Sequence, residues 1–371
     1  MRWNGGTCVV FAAASILALA AGVGLSQERS KPAGAGFVDV HLHLKEGGWK
    51  QGGGRPQRNG QARDESGYEV AAKSLLEHMD RHGVAKGLLM PPPRDPQRKG
   101  ESETPGLLEV ARRYPDRLFV AAGGFELNPI IHETAPAKVT PELRVRFERE
   151  AERILADGAK AFGEMTALHL SFFDQHAFEE CPPDHPLFLL LADIAARHDV
   201  PIDLHMEAVP KDMPLPPGFD RVSPNNPATL QANIPGLERL LAHERKARIV
   251  WQHIGWDNTG CMTVGLLRRL LAAHSNLFLA LRVEERGRSM GGTPMPNRIV
   301  DRAGQIVPEW LDLLQEFPDR FVIGTDEFFC PPGGGKSPPQ SFEETWNMVG
   351  QLPAELAAKI GRENAERIYR L

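Results

Sequence analysis

Eight short apolar segments rich in β-branched residues recur along the chain, and stretches with helical periodicity separate them. The segments are residues 37–41, 86–90, 118–123, 159–164, 201–205, 249–253, 277–281 and 321–326. Between two of them, Phe147, Ala151 and Ile154 repeat at steps of three or four residues, so that one helix face can pack on a sheet. Regular alternation indicates parallel strands joined by helical crossovers, and eight repeats allow closure. The sequence therefore predicts an α/β fold, a (β/α)8 TIM barrel.

An open, doubly wound sheet is the competing arrangement, and two features favour the barrel. No glycine-rich dinucleotide fingerprint follows the first strand. The longest irregular segments follow strands rather than precede them, at residues 45–66, 166–186, 206–235, 284–307 and 327–340. In a barrel these long βα loops would gather at the C-terminal face, where such enzymes build their sites.

The N-terminal 27 residues form a separate segment. Arg2 precedes an apolar run at residues 8–21, and small residues and Ser26-Gln27 follow it. This order is typical of a secretory signal peptide, and the run is shorter than the ~20 residues that span a bilayer, although an uncleaved anchor is the alternative. We therefore predict a signal peptide at residues 1–27 and a barrel domain at residues 36–371. The expected location is periplasmic or secreted, with no stable membrane association after cleavage.

The composition limits the expected partners. A net charge of -5, with 42% hydrophobic and 25% charged residues, is that of an ordinary globular protein, and the absence of a basic bias argues against nucleic acid. Outside the signal peptide the chain has Cys181, Cys261 and Cys330. An odd number of widely spaced cysteines does not make a disulfide framework, although one bridge with one remaining thiol is open.

The strongest chemical signal is His41-Leu42-His43 at the end of the first strand. Residues two apart in a strand point to the same face, so both imidazoles can bind one cation at the barrel mouth. Two exposed histidines at a strand end are the alternative. Three further strands end at His205, His253 and Asp326, which are also residue types that ligate divalent transition metals. Their matching positions predict one shared metal site.

This pattern resembles the amidohydrolase superfamily, and most closely its amidohydrolase-related branch (amidohydrolase 2), which includes aminocarboxymuconate semialdehyde decarboxylase. The matching residues are His41, His43, His205, His253 and Asp326, together with the sequence Glu-Asn-Ala-Glu-Arg-Ile-Tyr at residues 363–369, which resembles the C-terminal helix of that branch. The resemblance implies a divalent metal ion on His41, His43, His205 and Asp326, and a catalytic His253 beside it.

Glu164, at the end of the fourth strand, leaves the number of ions open. Other branches of the superfamily place a metal-bridging carboxylate or a modified lysine there, in a two-metal site that also recruits His253. A glutamate at a strand end can equally orient a ligating histidine through its second ring nitrogen. We expect one ion rather than two, with zinc as the first choice.

Further residues near the strand ends have weaker signals. Arg282 follows the seventh strand and can bind a substrate carboxylate or form an ordinary surface ion pair. Trp251 and Trp256 flank His253 and can line the pocket or pack in the barrel. His169, His176 and His185 are interpreted as solvated loop residues. A small substrate is expected, and it can carry anionic groups because the loops contain Lys45, Arg55, Arg221, Asn225, Arg282 and Arg288.

The chain is therefore predicted to be a metal-dependent hydrolase of the amidohydrolase type. Hydroxide generated on the metal would attack an amide, ester or lactone carbonyl, His253 would stabilise the oxyanion, and Asp326 would transfer a proton to the leaving group. The same ligands are compatible with a non-oxidative decarboxylase, a carboxy-lyase acting on an unsaturated or aromatic carboxylic acid. A non-catalytic ligand-binding barrel is the second alternative, against which the complete ligand set argues.

Overall fold

The structure is a computed structural model that describes residues 36–46, 67–92, 102–174, 176–284, 287–331 and 342–371. The predicted signal peptide and Arg55 lie outside the described residues. None of the helices in these ranges is both long enough and apolar enough to cross a bilayer.

Eight parallel strands form a closed barrel. They are β1 (Phe37–Leu44), β2 (Val84–Leu89), β3 (Leu118–Gly123), β4 (Ala161–His169), β5 (Pro201–Met206), β6 (Arg248–Ile254), β7 (Leu277–Leu281) and β8 (Phe321–Ile323). Each strand pairs in parallel with the next one along the chain, and Asp39 of β1 lies opposite Ile323 of β8 to close the sheet. The predicted (β/α)8 TIM barrel is confirmed.

Helices surround the barrel. They are α1 (Gly67–His82), α2 (Thr104–Arg113), α3 (Asn128–His132), α4 (Pro141–Ala156), α5 (Pro186–His198), α6 (Phe219–Val222), α7 (Ile234–His243), α8 (Val264–Ala273), α9 (Pro308–Glu316), α10 (Phe342–Val349), α11 (Ala354–Ala358) and, after a π-helical segment at Lys359–Glu363, α12 (Asn364–Tyr369). The hydroxyl of Thr140 accepts a hydrogen bond from the Leu143 amide and so caps α4. The predicted apolar face of α4 is buried through Phe147, Ala151 and Ile154.

The strand ends differ from the sequence prediction at the barrel mouth. β1 continues to Leu44 and β4 to His169, beyond the predicted ends at residues 41 and 164. β8 stops at Ile323, and after a bend a short strand, Glu327–Phe329, pairs with the last residues of β1. Asp326 lies in this bend with a φ of 60°, a backbone conformation that does not continue a strand. The outcome is a deeper mouth in which Asp326 faces the end of β1.

The apolar core has two parts. The larger part lies between the strands and the helices. The smaller part contains residues from the first halves of the strands, among them Val38, Val250 and Val322, together with Ile368 and Tyr369 of α12. The C-terminal helix therefore closes the end of the barrel opposite the mouth. Within the described ranges, neither Cys181 nor Cys261 takes part in a disulfide.

Candidate metal centre

Side chains from five strand ends converge at the barrel mouth. His41 and His43 of β1 place their Nε2 atoms 3.0 Å apart, and the Nε2 of His43 lies 3.1 Å from Oδ1 of Asp326. Glu164 of β4 places Oε1 2.5 Å from Nδ1 of His205 and 3.0 Å from Nε2 of His253. All six residues singled out from the sequence as ligands or neighbours of a metal thus belong to one cluster.

Glu164 lies between the two halves of this cluster. Its second oxygen, Oε2, is 3.7 Å from Nε2 of His41. Three overlapping sets of side chains place their ligand atoms within 4.8 Å of one another: His41, His43 and Glu164; His41, His253 and Asp326; Glu164, His205 and His253. Glu164 and His41 each belong to two of these sets, so Glu164 has a more central place than an orienting partner of one histidine would require.

Hydrogen bonds on the far side of the rings turn the β1 imidazoles toward the cluster. Nδ1 of His43 lies 2.8 Å from the Met90 carbonyl, and Nδ1 of His41 lies 3.1 Å from Oε1 of Gln252. Both partners are acceptors, so each Nδ1 carries the hydrogen and each Nε2 keeps its lone pair for the cluster. The ring orientation that a metal ligand needs is therefore present.

The electrostatics of the cluster suit a cation. Burial lowers the pKa of His41 to about 3, so this imidazole is neutral near pH 7. Burial by itself would raise the pKa of Glu164, but His41 and His205 outweigh it and hold that pKa well below its usual range. Burial would also raise the pKa of Asp326, but the neighbouring Arg282 and His253 have the larger effect and hold that pKa far below its usual range. Neutral imidazoles and ionised carboxylates are the forms that bind metals, so the donor set fits a divalent metal ion.

Two residues of the cluster have left-handed backbone conformations. His253 has a φ of 62° and Asp326 a φ of 60°, and neither is a glycine. Such residues cost about 1–3 kcal/mol each and persist where the surrounding structure holds them. Around Asp326 the restraints are identifiable: its amide donates to the His41 carbonyl at 2.9 Å, and the preceding Thr325 donates its hydroxyl to Asp39 at 2.6 Å. Asp39 therefore ties the end of β8 to β1.

Gly324 brings β8 close to the ligands of β1, which yields a testable prediction. A Cβ at this position would lie 3.0 Å from Oε1 of Gln252 and 3.1 Å from Cβ of His41. We expect Gly324→Ala to lower stability by about 1–3 kcal/mol, because overpacking displaces neighbours, and to weaken zinc binding. Thermal unfolding and a zinc titration measure the two effects.

The matched control is Gly265→Ala in α8, where the nearest atom to an added Cβ is 3.9 Å away. This helical substitution should leave zinc affinity unchanged and should not destabilise the protein, since alanine favours a helix over glycine by about 1 kcal/mol. Wild-type stability and wild-type zinc affinity in Gly324→Ala together would show that the close approach of β8 has no importance for the site.

Arg282 contacts the cluster directly. Its Nη1 donates to Oδ2 of Asp326 at 2.5 Å, and its guanidinium lies 3.9 Å from the ring centroid of Trp256. The predicted substrate-binding arginine is thus paired with a site carboxylate and stacked on an aromatic ring, rather than being an ordinary surface ion pair. The two tryptophans differ in their surroundings. Trp251 is fully buried in the core and donates its indole hydrogen to the Met206 carbonyl at 2.7 Å. Trp256 instead packs beside His253.

The interpretation of His169 and His185 as solvated loop residues was wrong. His169 is buried at the extended end of β4, and its ring centroid lies 4.2 Å from that of His205. His185 is buried away from the cluster, where it caps α5 by accepting from the Leu187 amide. His176 is half-buried, with its ring 4.7 Å from that of His169. The apolar run Met165–Leu168 is the signal that could have extended β4 and placed His169 near the mouth.

Several loop residues that indicated an anionic substrate have partners within the protein. Lys45 lies 3.4 Å from an oxygen of Glu103, Asn225 donates to the Asp174 carbonyl at 3.0 Å, and Arg288 donates to the Gly292 carbonyl at 2.7 Å. Among the described residues of that set, Arg282 is the one that forms a hydrogen bond with the cluster, through Asp326. The expectation of an anionic substrate therefore depends mainly on Arg282.

Several solved structures are similar to this chain. One is a probable 2-pyrone-4,6-dicarboxylic acid hydrolase from Acinetobacter baumannii with citric acid bound, at 13% identity and a TM-score of 0.47, covering 91% of this chain and 100% of that one. Another is an amidohydrolase 2 from Bifidobacterium longum subsp. infantis, at 11% identity and a TM-score of 0.44, covering 90% and 98%. A third is an amidohydrolase from Mycobacterium avium subsp. paratuberculosis, at 14% identity and a TM-score of 0.45, covering 91% and 99%.

No curated protein matches the chain. A family model described as amidohydrolase, by contrast, matches residues 38–371, which include β1 from its second residue, the other seven strands in full and all six residues of the cluster. The chain therefore belongs to the amidohydrolase 2 family and is an enzyme of the amidohydrolase superfamily.

Proposed function

We propose that the protein is a metal-dependent hydrolase that cleaves an amide, ester or lactone. The observation that carries the proposal is the convergence of four imidazoles and two carboxylates from five strand ends within contact distance. In particular, the Nε2 atoms of His41 and His43 lie 3.0 Å apart while both Nδ1 atoms donate to acceptors, so the two lone pairs would repel in a purely structural role, whereas a shared divalent cation satisfies both.

In this proposal His41, His43, His205 and Asp326 hold one divalent ion, with zinc as the first choice. Such an ion would lower the pKa of bound water toward neutrality and would polarise a carbonyl group. A catalytic zinc needs only three or four protein donors, so two of the six side chains in the cluster are available for other roles. Glu164 orients His205 and His253, which it contacts at 2.5 and 3.0 Å.

Asp326, in addition to holding the ion, and His253 move a proton and stabilise charge. Asp326 is kept ionised by Arg282 and can take a proton from water and return it to the leaving group. His253 places Nε2 against Glu164, while its buried Nδ1 has no hydrogen-bond partner among the described residues and lies 3.8 Å from Oδ2 of Asp326. A proton on this nitrogen, with Nε2 donating to Glu164, would make His253 a hydrogen-bond donor to the carbonyl oxygen of a substrate as negative charge develops there. Trp256 packs on His253 and Arg282 and limits the access of water.

Removal of the metal tests the proposal. The purified protein is assayed against panels of amides, esters and lactones, before and after chelation and after addition of zinc, manganese or iron. We expect hydrolysis to fall to background on chelation and to return at about one equivalent of metal, because the ion supplies the activated water.

Release of carbon dioxide is measured in parallel with unsaturated and aromatic carboxylic acids. Carbon dioxide release without hydrolysis of any panel member would replace the hydrolase with the decarboxylase. A protein that retains no metal after mild purification, and gains no activity when metal is added, would be a ligand-binding barrel.

A further inference from the structure

A buried line of polar groups connects the C-terminal helix to the metal centre. The Tyr369 hydroxyl of α12 donates to Oδ1 of Asp203, and Nε2 of Gln252 donates to the same oxygen at 2.7 Å. Oε1 of Gln252 in turn accepts from Nδ1 of His41 at 3.1 Å. All four side chains are at most 1% exposed. The line therefore crosses the barrel interior from the closed end to a residue of the cluster.

The orientation of the Gln252 side-chain amide determines which ring nitrogen of His41 keeps its lone pair. An amide has one oxygen that accepts and one nitrogen that donates, so the group on one side determines which atom faces the other side. Because Asp203 accepts from the nitrogen, the oxygen faces His41 and receives the hydrogen of Nδ1. The lone pair of His41 is then left on Nε2, toward the cluster. A reversed amide would present a donor to Nδ1 and favour the wrong tautomer.

Both hydrogen bonds that the Asp203 carboxylate accepts reach the same oxygen, Oδ1. Oδ2 is buried without a hydrogen-bond partner among the described residues, and it lies 3.2 Å from where a Cβ of Gly163 would be. The carboxyl group therefore depends on the Tyr369 hydroxyl and the Gln252 amide for its orientation. Since both donors bind Oδ1, the arrangement is the same whether the carboxyl is ionised or carries a proton on Oδ2.

The barrel interior leaves space for the Tyr369 ring. The interior of a (β/α)8 barrel is usually filled by bulky branched side chains from the strands. Here Ala121, Ala161 and Ala280 belong to the same interior cluster as Tyr369, and Tyr369 is among the largest fully buried side chains. An aromatic residue supplied by the end of the chain fills volume that the strands leave open, and its hydroxyl reaches the layer below the ligands.

We propose that Tyr369 is a positioning residue of the metal centre, which acts through Asp203 and Gln252 to keep Nε2 of His41 directed at the ion. This inference rests on the proposed function, because it takes His41 to be a metal ligand. It extends the site to the third residue from the C-terminus. Partners of ligating histidines typically contribute 10–100-fold in metal affinity, and Tyr369 acts two groups further along the same line.

Zinc affinity in a double-mutant cycle tests the inference. The affinity of the full chain is measured by competition with a chromogenic chelator for the wild type, Tyr369→Phe, Gln252→Met and the double variant, after circular dichroism has verified folding. We expect Tyr369→Phe to weaken zinc binding by about 10-fold, near the lower end of that range. In the Gln252→Met background the tyrosine change should have almost no further effect, because the group through which it acts is gone.

The matched control is Tyr114→Phe, which removes a hydroxyl that donates to Glu69 at 2.8 Å on the outside of the barrel. It should leave zinc affinity unchanged. If Tyr369→Phe does not fold, Asp203→Leu/Tyr369→Phe replaces both partners with apolar groups of similar shape, a change that a buried pair tolerates better. That variant should bind zinc as weakly as Gln252→Met.

Three results would overturn the inference. Wild-type zinc affinity in Tyr369→Phe, or in the Asp203→Leu/Tyr369→Phe variant, means that the tyrosine only supports the fold. Additive effects in the cycle mean that it does not act through Gln252. A wild-type protein that binds none of zinc, manganese and iron removes the proposed function itself, and this outcome is distinguishable because it appears before any variant is compared.

Discussion

Replacement of Asp326 by asparagine is expected to reduce kcat by about 10²–10⁴-fold on the carbonyl substrate found in the panel assay, the range that a positioned acid or base contributes. Asparagine keeps the shape of the side chain but cannot accept the proton. Asp326 is half-buried and pairs with Nη1 of Arg282 at 2.5 Å, which keeps its carboxylate ionised and able to accept a proton. The measurement is kcat at saturating substrate and saturating zinc, with bound metal determined on the same sample.

Saturating zinc matters because Asp326 is also proposed as a ligand, so weaker metal binding must be separated from slower chemistry. Asp312→Asn, at an exposed position of α9, makes the same chemical change away from the site and should leave kcat unchanged. A fully metallated Asp326→Asn protein with kcat close to that of the wild type would exclude Asp326 as the proton carrier.

Replacement of Glu164 by glutamine is expected to weaken zinc binding by about 10–100-fold or more. Glu164 contacts His205 and His253 through one oxygen and lies 3.7 Å from His41 through the other, so the substitution disturbs both halves of the cluster. Glutamine also presents an amide donor where the carboxylate accepted, which turns an imidazole partner away from the geometry that a metal requires. Zinc affinity and the number of ions per chain are measured together.

The ion count gives this substitution a second use. A wild-type chain that binds one ion, with weaker binding in the variant, assigns Glu164 to orientation of the histidines. Two ions in the wild type and fewer in the variant assign it as the shared ligand. Glu180→Gln, an exposed carboxylate next to the extended end of β4, serves as the control and should change neither quantity. Unchanged affinity and count in Glu164→Gln would remove this residue from the metal centre.

The sequence was sufficient to predict the barrel because the patterns that indicate strands and helices are periodic and involve neighbouring residues. A strand of alternating side chains followed by an amphipathic helix is recognisable from neighbouring residues, and eight such units have few ways to bury their apolar faces. The same reasoning placed His41, His43, His205, His253 and Asp326 together, since parallel strands in a barrel all end at one face. The position of each residue on its strand was therefore enough to predict a common site.

Contacts between side chains across the barrel could be identified only from the tertiary structure. The sequence places Glu164 and Arg282 at strand ends but does not say that Glu164 lies between two pairs of imidazoles, or that Arg282 pairs with Asp326. Which side chains meet across the mouth depends on strand stagger and on bends such as the one at Asp326, where a positive φ turns the chain toward β1. These features are set by the packing of the whole barrel.

The buried line of hydrogen bonds from Tyr369 to His41 shows most clearly which contacts the tertiary structure determines. By itself the sequence placed His41 on the first strand, whereas residues 363–369 were recognised by their resemblance to the C-terminal helix of a known family. The Tyr369 hydroxyl meets Asp203 across 166 positions, and Gln252 meets His41 across 211. Local preferences act over a few residues, whereas these hydrogen bonds exist because closure of the sheet brings β1, β5 and β6 around one interior that α12 fills. The residue types of the site and the strands that carry them were thus readable in the chain, and their partners were decided by closure of the barrel.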